Sequence, residues 1–509
     1  FGSRRKPTSP RFLCGGFDDK CDERWGKIKP EIVMEVKTMV DMKSLGKTLS
    51  VLVIFAFAGT GDSWAATNST LQVGFAKVDI TPPIGTPMTG FGAHFSDKEG
   101  ARKIHDPVEA RALFFEHEGR QLLIVGMDLC FLSRDEADRF KGAIGRKLDL
   151  APSQILLNAS HNHTGPRCGT WFYLQPARKF LQMLEDKLVD VSVKASESKQ
   201  PITMWAGETT TNLPVNRRLP NPETGEIDFA PNPKGSIYQY LPFVLFKNSK
   251  GEPVHVMFSI AAHPSNIKGV ERSFHISADY PGVAARLVDK HLGRDGALFL
   301  QGAAGCAKCS IVPGKDQFPS GTWEEVEKAG EMVAEELIAA LDDNLTCIDP
   351  TLFVRSIEMH WPMQPNIGKE GYQKVIENPE THSESIAEVK AVWAKDMLDR
   401  LESGYDLPTE VPITAQGIKF GPEFRIVAIE GEMVDALGHQ IRDSYSSGIT
   451  MPLGYSNGCQ MYLPTSEMVD EGGYEVESYW EYRHPAPLAK GMEKILAETV
   501  KQLQNEGIE

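Results

Sequence analysis

Two histidines one residue apart, His161 and His163, lie in Ser160-His-Asn-His-Thr-Gly-Pro166. Neutral imidazole is the commonest protein ligand for a metal, and a locally bent chain can aim both rings of such a pair at one centre. In a straight strand the same pair would only share an exposed face. Thr164-Gly165-Pro166 makes a turn that ends the preceding apolar run and fixes the side chains beside it. A third histidine, His263 in Ala261-Ala-His-Pro264, leaves an apolar segment for a proline turn. It is either a core histidine with satisfied hydrogen bonds or a ligand arriving from a second strand. A carboxylate from Ile429-Glu-Gly-Glu-Met433 would complete a His/His/Glu set of the kind that leaves zinc a position for water. Glu430 and Glu432 compete for that place, and the two-residue period of a strand sends both the same way, so spacing leaves the choice open.

These residues need elements to position them. Leu122–Met127 is a short apolar run of buried-strand type, followed by a capping box at Ser133-x-x-Glu136 and a helix with Phe140, Ile144 and Leu148 on one face. Ile155–Leu157 then leads to the histidine pair. Pro242–Phe246 and Val254–Ile260 flank a turn at Asn248–Glu252 and read as a hairpin that delivers His263. Asp279 reads as the N-cap of a helix with Val283 and Leu287 facing inward. Ala297–Leu300 repeats the strand pattern. So does Phe424–Ile429, which ends at Glu430-Gly-Glu432 before a helix with Met433, Leu437 and Ile441. A last helix is predicted from Pro487, carrying Leu488, Met492, Ile495, Leu496 and Leu503. The alternation predicts an α/β fold, a mixed β-sheet core covered by helices in a single large catalytic domain over residues 66–509. His161, His163, His263 and Glu432 each follow the carboxyl end of a predicted strand, where open α/β sheets place reactive groups.

The chain has 509 residues and a formal net charge of -15. That balance, with no basic stripe, excludes nucleic acid as a partner class and limits membrane association to peripheral contact by apolar insertion. Met42, Lys43 and Lys47 precede the apolar run Leu49–Ala58 and the small-residue site Ser63-Trp-Ala65, the layout of a secretory signal peptide over residues 42–65 with cleavage after Ala65. The run is shorter than the roughly 20 residues a membrane span needs. Residues 1–41 read as a non-native upstream extension, and the mature protein is expected to be secreted or periplasmic. Six cysteines, Cys130, Cys168, Cys306, Cys309, Cys347 and Cys459, fall in the mature part, and one or two disulfides are expected in an exported protein.

Several blocks in order resemble the neutral/alkaline non-lysosomal ceramidases over nearly all of the mature length: Val73–Gly85, Gly90-Phe-Gly92, His105-Asp-Pro107 with Ala110-Arg111, and Ser160–Pro166, which is similar to that family's Thr-His-Thr-His-Ser-Gly-Pro. The resemblance implies a zinc-dependent amidohydrolase that cleaves a lipid-like N-acyl amide with a zinc-activated water. It places the zinc ligands on His161, His263 and Glu432. A fourth ligand, Tyr462, follows from matching Asn457-Gly-Cys-Gln-Met-Tyr-Leu-Pro-Thr465 to the family's Asn-x-Tyr-x-x-Tyr-x-x-Thr, whose first tyrosine is Cys459 here. It also implies that His163 is the transition-state partner, that Tyr474 in Gly-Gly-Tyr-Glu475 lies near the reacting carbonyl, and that Arg217 in Val215-Asn-Arg-Arg218 faces the substrate.

Two departures bear on the substrate. Gln301-Gly-Ala-Ala-Gly305 carries Gly302 where the family's Gln-Ser-Asn-x-Gly has a serine, and the chain reads as the catalytic part without the family's immunoglobulin-like C-terminal domain. Two rival readings follow: a zinc hydrolase acting on another amide or ester, such as an N-acyl amino sugar, and a secreted metal-binding protein without turnover.

Overall fold

Along the strand Glu109–His117, Leu113 and Phe115 point to one side and Ala112 and Phe114 to the other, and all four are buried. A strand buried on both faces must lie between two layers. The computed structural model describes residues 70–169, 173–269, 271–310, 317–379 and 384–509, and Thr67–Glu509 form one compact unit. The expected leader at 42–65 and the upstream segment lie outside the described residues.

The strand Glu109–His117 belongs to a nine-stranded mixed sheet. Eight strands run in the order Ala297–Gln301, Pro253–Ile260, Tyr240–Asn248, Gln200–Thr210, Gln72–Asp79, Glu109–His117, Arg120–Met127 and Ile155–Ala159, and Thr346–Ile348 pairs with Gln200–Thr210. The two outermost pairings are parallel, and the others along this order are antiparallel. A second sheet, Leu352–Pro362, Glu410–Phe420, Phe424–Ile429 and Ile449–Leu453, stacks against it. Their shared core joins Leu113, Phe115 and Ile124 of the first sheet to Ile418, Ile426 and Met451 of the second.

Helices close both outer faces. Arg134–Leu148 and Arg178–Glu197 cover Phe114 and Val125, and Asp279–Leu292 and Trp323–Ala340 cover Phe258 and Phe299. On the far side, Asp435–Asp443 and Met492–Asn505 cover Ile413, Val427 and Ile429. The predicted α/β fold with mixed sheets and covering helices is what forms. The second sheet is the addition, because the period of Phe424–Ile429 marks it as a strand without saying which sheet it joins.

Local readings fare unevenly. The capping box forms as expected, Glu136 N donating to Ser133 Oγ at 3.3 Å and Ser133 N to Glu136 Oε2 at 3.0 Å. The hairpin forms between Tyr240–Asn248 and Pro253–Ile260. Asp279 is not an N-cap. It is the first helical residue, after Ala278, with φ 54 and its Oδ1 accepting from Tyr280 N. The last helix starts at Met492 rather than Pro487, because Leu488 is held in an antiparallel bridge with Met363. The expected disulfides are absent among the described residues, where all six cysteines are free. Cys306 Sγ instead donates to Asp435 Oδ1 at 2.6 Å.

Candidate metal centre and its cavity

His161 leaves the strand Ile155–Ala159 with φ 63, a left-handed conformation unusual for a residue with a Cβ. That twist breaks the strand alternation and brings the pair together, His163 Nε2 lying 3.1 Å from His161 Nε2. His263 arrives past the end of Pro253–Ile260. Its Nε2 lies 3.3 Å from Glu432 Oε2, and His161 Nε2 lies 3.2 Å from the same oxygen. The three groups are buried and offer ligand atoms within 4.8 Å of one another.

Hydrogen bonds on the far side of each ring settle which nitrogen is available. His161 Nδ1 lies 2.9 Å from Cys130 O, and His263 Nδ1 lies 2.8 Å from Ala304 O and 3.0 Å from Ala307 O. A carbonyl only accepts, so each Nδ1 carries the proton and each Nε2 turns a lone pair toward Glu432. Burial first, then Arg217 and His161, hold His263 well below the ordinary histidine range, which keeps it neutral. Two neutral lone pairs and a carboxylate oxygen meeting in a buried space form a donor set that fits a divalent cation.

Glu430 and Glu432 part company at Gly431. Its φ of 150 interrupts the strand, and a Cβ there would lie 2.8 Å from the Leu463 side chain. Glu430 turns away to Arg134, Arg134 Nε donating to its Oε1 at 2.9 Å, and to Thr414 N, which donates to its Oε2 at 3.0 Å. Glu432 turns inward. A second cluster, Cys130 with His161 and His163, meets the same distance criterion. It is the weaker donor set, because His161 Nδ1 is committed to Cys130 O and burial, then Glu432, keeps the Cys130 thiol protonated.

Tyr462 pairs with Glu432 in a two-stranded parallel ladder, and its Oη lies 3.3 Å from His263 Nε2. Arg217, on the strand Pro214–Pro220, donates from Nε to Glu475 Oε1 at 2.8 Å and from Nη1 to His263 Nε2 at 3.1 Å. Its Nη2 is buried without a hydrogen-bond partner, as is His163 Nδ1. Burial first, then His161 and His263, hold His163 well below the ordinary histidine range. Tyr474 packs its ring 5.5 Å from that of Tyr462 and donates to Glu481 Oε2 at 2.9 Å.

His163, Arg217, Tyr462 and Tyr474 line a cavity of about 670 Å³ that also takes in Phe91 and Phe229. Gly90, in the Gly90-Phe-Gly92 loop, has φ 108, and a Cβ on it would lie 2.6 Å from His163. Only glycine lets that loop lie against the histidine. Gly302 is not among the lining residues, and a side chain there would press on Ser259 and the Ile260 carbonyl.

The seven residues singled out in the sequence therefore gather at one place. Four others escaped notice. Tyr455 stacks on His161 with ring centroids 4.3 Å apart and donates to Glu432 Oε2 at 3.3 Å, while Tyr482 donates to Glu432 Oε1. Glu475 anchors Arg217, and Lys308 lines the cavity with a buried amine. Each stands in a segment without periodicity, and only Glu475, next to Tyr474, was within reach of a motif.

The layered α/β fold that carries this buried His/His/Glu donor set is matched among solved structures. The fold is that of the neutral ceramidases. Neutral ceramidase from Pseudomonas aeruginosa superposes with a TM-score of 0.65 at 18% identity, over 86% of this chain and 75% of that one. A ceramidase complexed with C2 gives a TM-score of 0.65 at 17% identity, over 87% and 76%. No protein-family model and no curated protein sequence matches the chain.

Proposed function

We propose that this protein is a zinc-dependent amidohydrolase that cleaves an N-acyl, ceramide-like amide, with His161, His263, Glu432 and Tyr462 holding the zinc. One observation carries the reading: two imidazole Nε2 atoms with fixed tautomers converge on one carboxylate oxygen beside a cavity that takes in Tyr462 and His163. Zinc in such a set supplies Lewis acidity and a water that ionises near neutral pH.

The chain's own groups do the rest. Phe91 and Phe229 offer apolar wall to an acyl chain, and Gly90 lets the loop that carries Phe91 lie against His163. His163, neutral and on the cavity wall, takes its place beside the reacting carbonyl as charge develops there. Arg217 Nη2 offers a donor on the same wall. Tyr474 lines the same cavity, its hydroxyl held by Glu481.

Secretion or export accompanies this reading, as do a lipid-like substrate and at most peripheral membrane contact. Among the described residues no helix is long and apolar enough to cross a membrane. The test is to purify the full chain, measure bound metal, and follow fatty-acid release from ceramides and other N-acyl compounds with and without chelator. Zinc near one equivalent and chelator-sensitive release are expected. A metal-free protein, or zinc retention with no acyl substrate cleaved, would end the proposal.

A further inference from the structure

Lys308 is a buried lysine without a carboxylate at ion-pair distance among the described residues, the buried Asp279 acting on it from farther off. It lies on the short strand Ala307–Cys309 and is 3% exposed. Its Nζ donates to Ser265 O at 2.9 Å and lies 2.6 Å from Ser265 Oγ. An ammonium has three donors, and Ser265 accounts for two. Lys268, half-buried nearby, donates to Phe318 O at 2.8 Å. Among the described residues neither lysine has a carboxylate at ion-pair distance. Burial, then Lys268 and Arg217, hold the Lys308 amine well below the ordinary lysine range, and an anion entering the cavity beside it would supply the ionic partner that the described residues do not.

Both lysines line the cavity that holds His163 and Tyr462, together with Arg217, whose buried Nη2 lacks a partner. The carboxylates that share the cavity, Glu226, Asp228, Glu471 and Glu477, are all exposed. Topology keeps the two signs apart. In the three-stranded sheet, Ala307–Cys309 and Ile227–Asn232 are the outer strands on either side of Pro214–Pro220, which separates Lys308 from Asp228 by two strand spacings, about 10 Å. The acidic side faces solvent, where its charge is screened, and the cationic wall lies inside.

We propose that Lys308 and Lys268, beside Arg217, select an N-acyl substrate whose amine portion carries an anionic group, a carboxylate as in an N-acyl amino acid, in place of a neutral amino alcohol. The proposal rests on the amidohydrolase reading and adds the head group that this site accepts. A carboxylate entering beside Lys308 gives each buried charge its partner through charge-assisted hydrogen bonds. A phosphate offers the same charge, and the test separates the two.

The full-chain zinc-loaded protein is assayed with N-lauroylglycine, N-lauroylethanolamine phosphate and neutral N-lauroylethanolamine, which share one acyl chain. Binding of the same three to the His163→Ala variant is followed by calorimetry. N-lauroylglycine is expected to exceed the neutral amide at least tenfold in kcat/KM and in affinity. Lys308→Met should lower that ratio at least tenfold, and Lys308→Arg should return most of it. Should Lys308→Met fail to fold, Lys268→Gln is expected to lower the ratio as well. Equal or better handling of the neutral amide, or a ratio indifferent to both lysines, overturns the proposal, and a preference for the phosphate overturns the carboxylate assignment. If nothing is cleaved while N-lauroylglycine still binds more tightly than the neutral amide, the hydrolase reading fails and the anion-selective wall stands.

Discussion

Glu432 and Tyr462 are register partners in the parallel ladder formed by Glu432–Met433 and Tyr462–Leu463, and Glu432 N donates to Met461 O at 2.9 Å. Adjacent strands run about 4.8 Å apart, so main-chain hydrogen bonds set the spacing of carboxylate and phenol before either side chain chooses a rotamer. The donor set is built into backbone, and its members can be removed one at a time.

His161→Ala and His263→Ala should each lose the bound metal, while His163→Ala should keep it and lose turnover by roughly 10²–10⁴-fold. Elemental analysis of the purified variants beside an N-acyl hydrolysis assay separates the two roles. Full activity in His163→Ala would remove that histidine from the chemistry.

Glu430→Gln and Glu432→Gln should fail in different ways. Glu430 is fully buried against Arg134, whose side chain is 24% exposed, so breaking that pair should cost roughly 2–3 kcal/mol of stability, below the usual range for a fully buried pair, with metal retained. Glu432→Gln should lose the metal. Denaturant melts and metal content, read together, check both.

Tyr455→Phe and Tyr482→Phe each remove one hydroxyl from the Glu432 carboxylate. Groups that orient a ligand typically change metal affinity about 10–100-fold, and a drop of that size is expected in competition with a chelator. Unchanged affinity in both variants would show that the carboxylate is held by its ladder alone.

Burial pushes the Glu481 carboxyl up to about 8 from an ordinary 4.5, against the lowering effect of the hydrogen bond from Tyr474. The folded state then holds a proton that the unfolded chain releases, so this group's stabilising contribution is complete below pH 4.5 and declines as pH rises toward 8. The decline is on the order of 5 kcal/mol, and Glu481→Gln should flatten it. Denaturant melts across that pH interval provide the measurement, and an unaltered slope in the variant would refute the assignment.

The sequence made the strand ends legible because apolar runs stop abruptly before His161, His263 and Glu430, and side-chain period and turn residues are local signals. The seven residues that meet at the candidate centre were legible, Arg217, Tyr462 and Tyr474 only through resemblance. The choice of Glu432 over Glu430 also came only from resemblance, since it turns on the φ of Gly431 and on Arg134, nearly 300 residues away in the chain. Tyr455, Tyr482 and Lys308 stayed hidden for a related reason: each acquires its role from a partner in another element. The expected disulfides went astray because an even cysteine count does not say whether two sulfur atoms meet.

His161 and His263 follow strands of the nine-stranded sheet, whereas Glu432 follows a strand of the four-stranded sheet, and Asn457 spans the same joint, accepting from Leu157 N at 3.1 Å and donating to Gln416 Oε1 at 2.6 Å. The centre therefore works as a vernier between two slabs. A slip of one residue between them, about 3.3 Å, would carry the carboxylate out of reach of both imidazoles. Damage far out in either hydrophobic layer should then register first as weakened metal retention, well before the fold itself gives way.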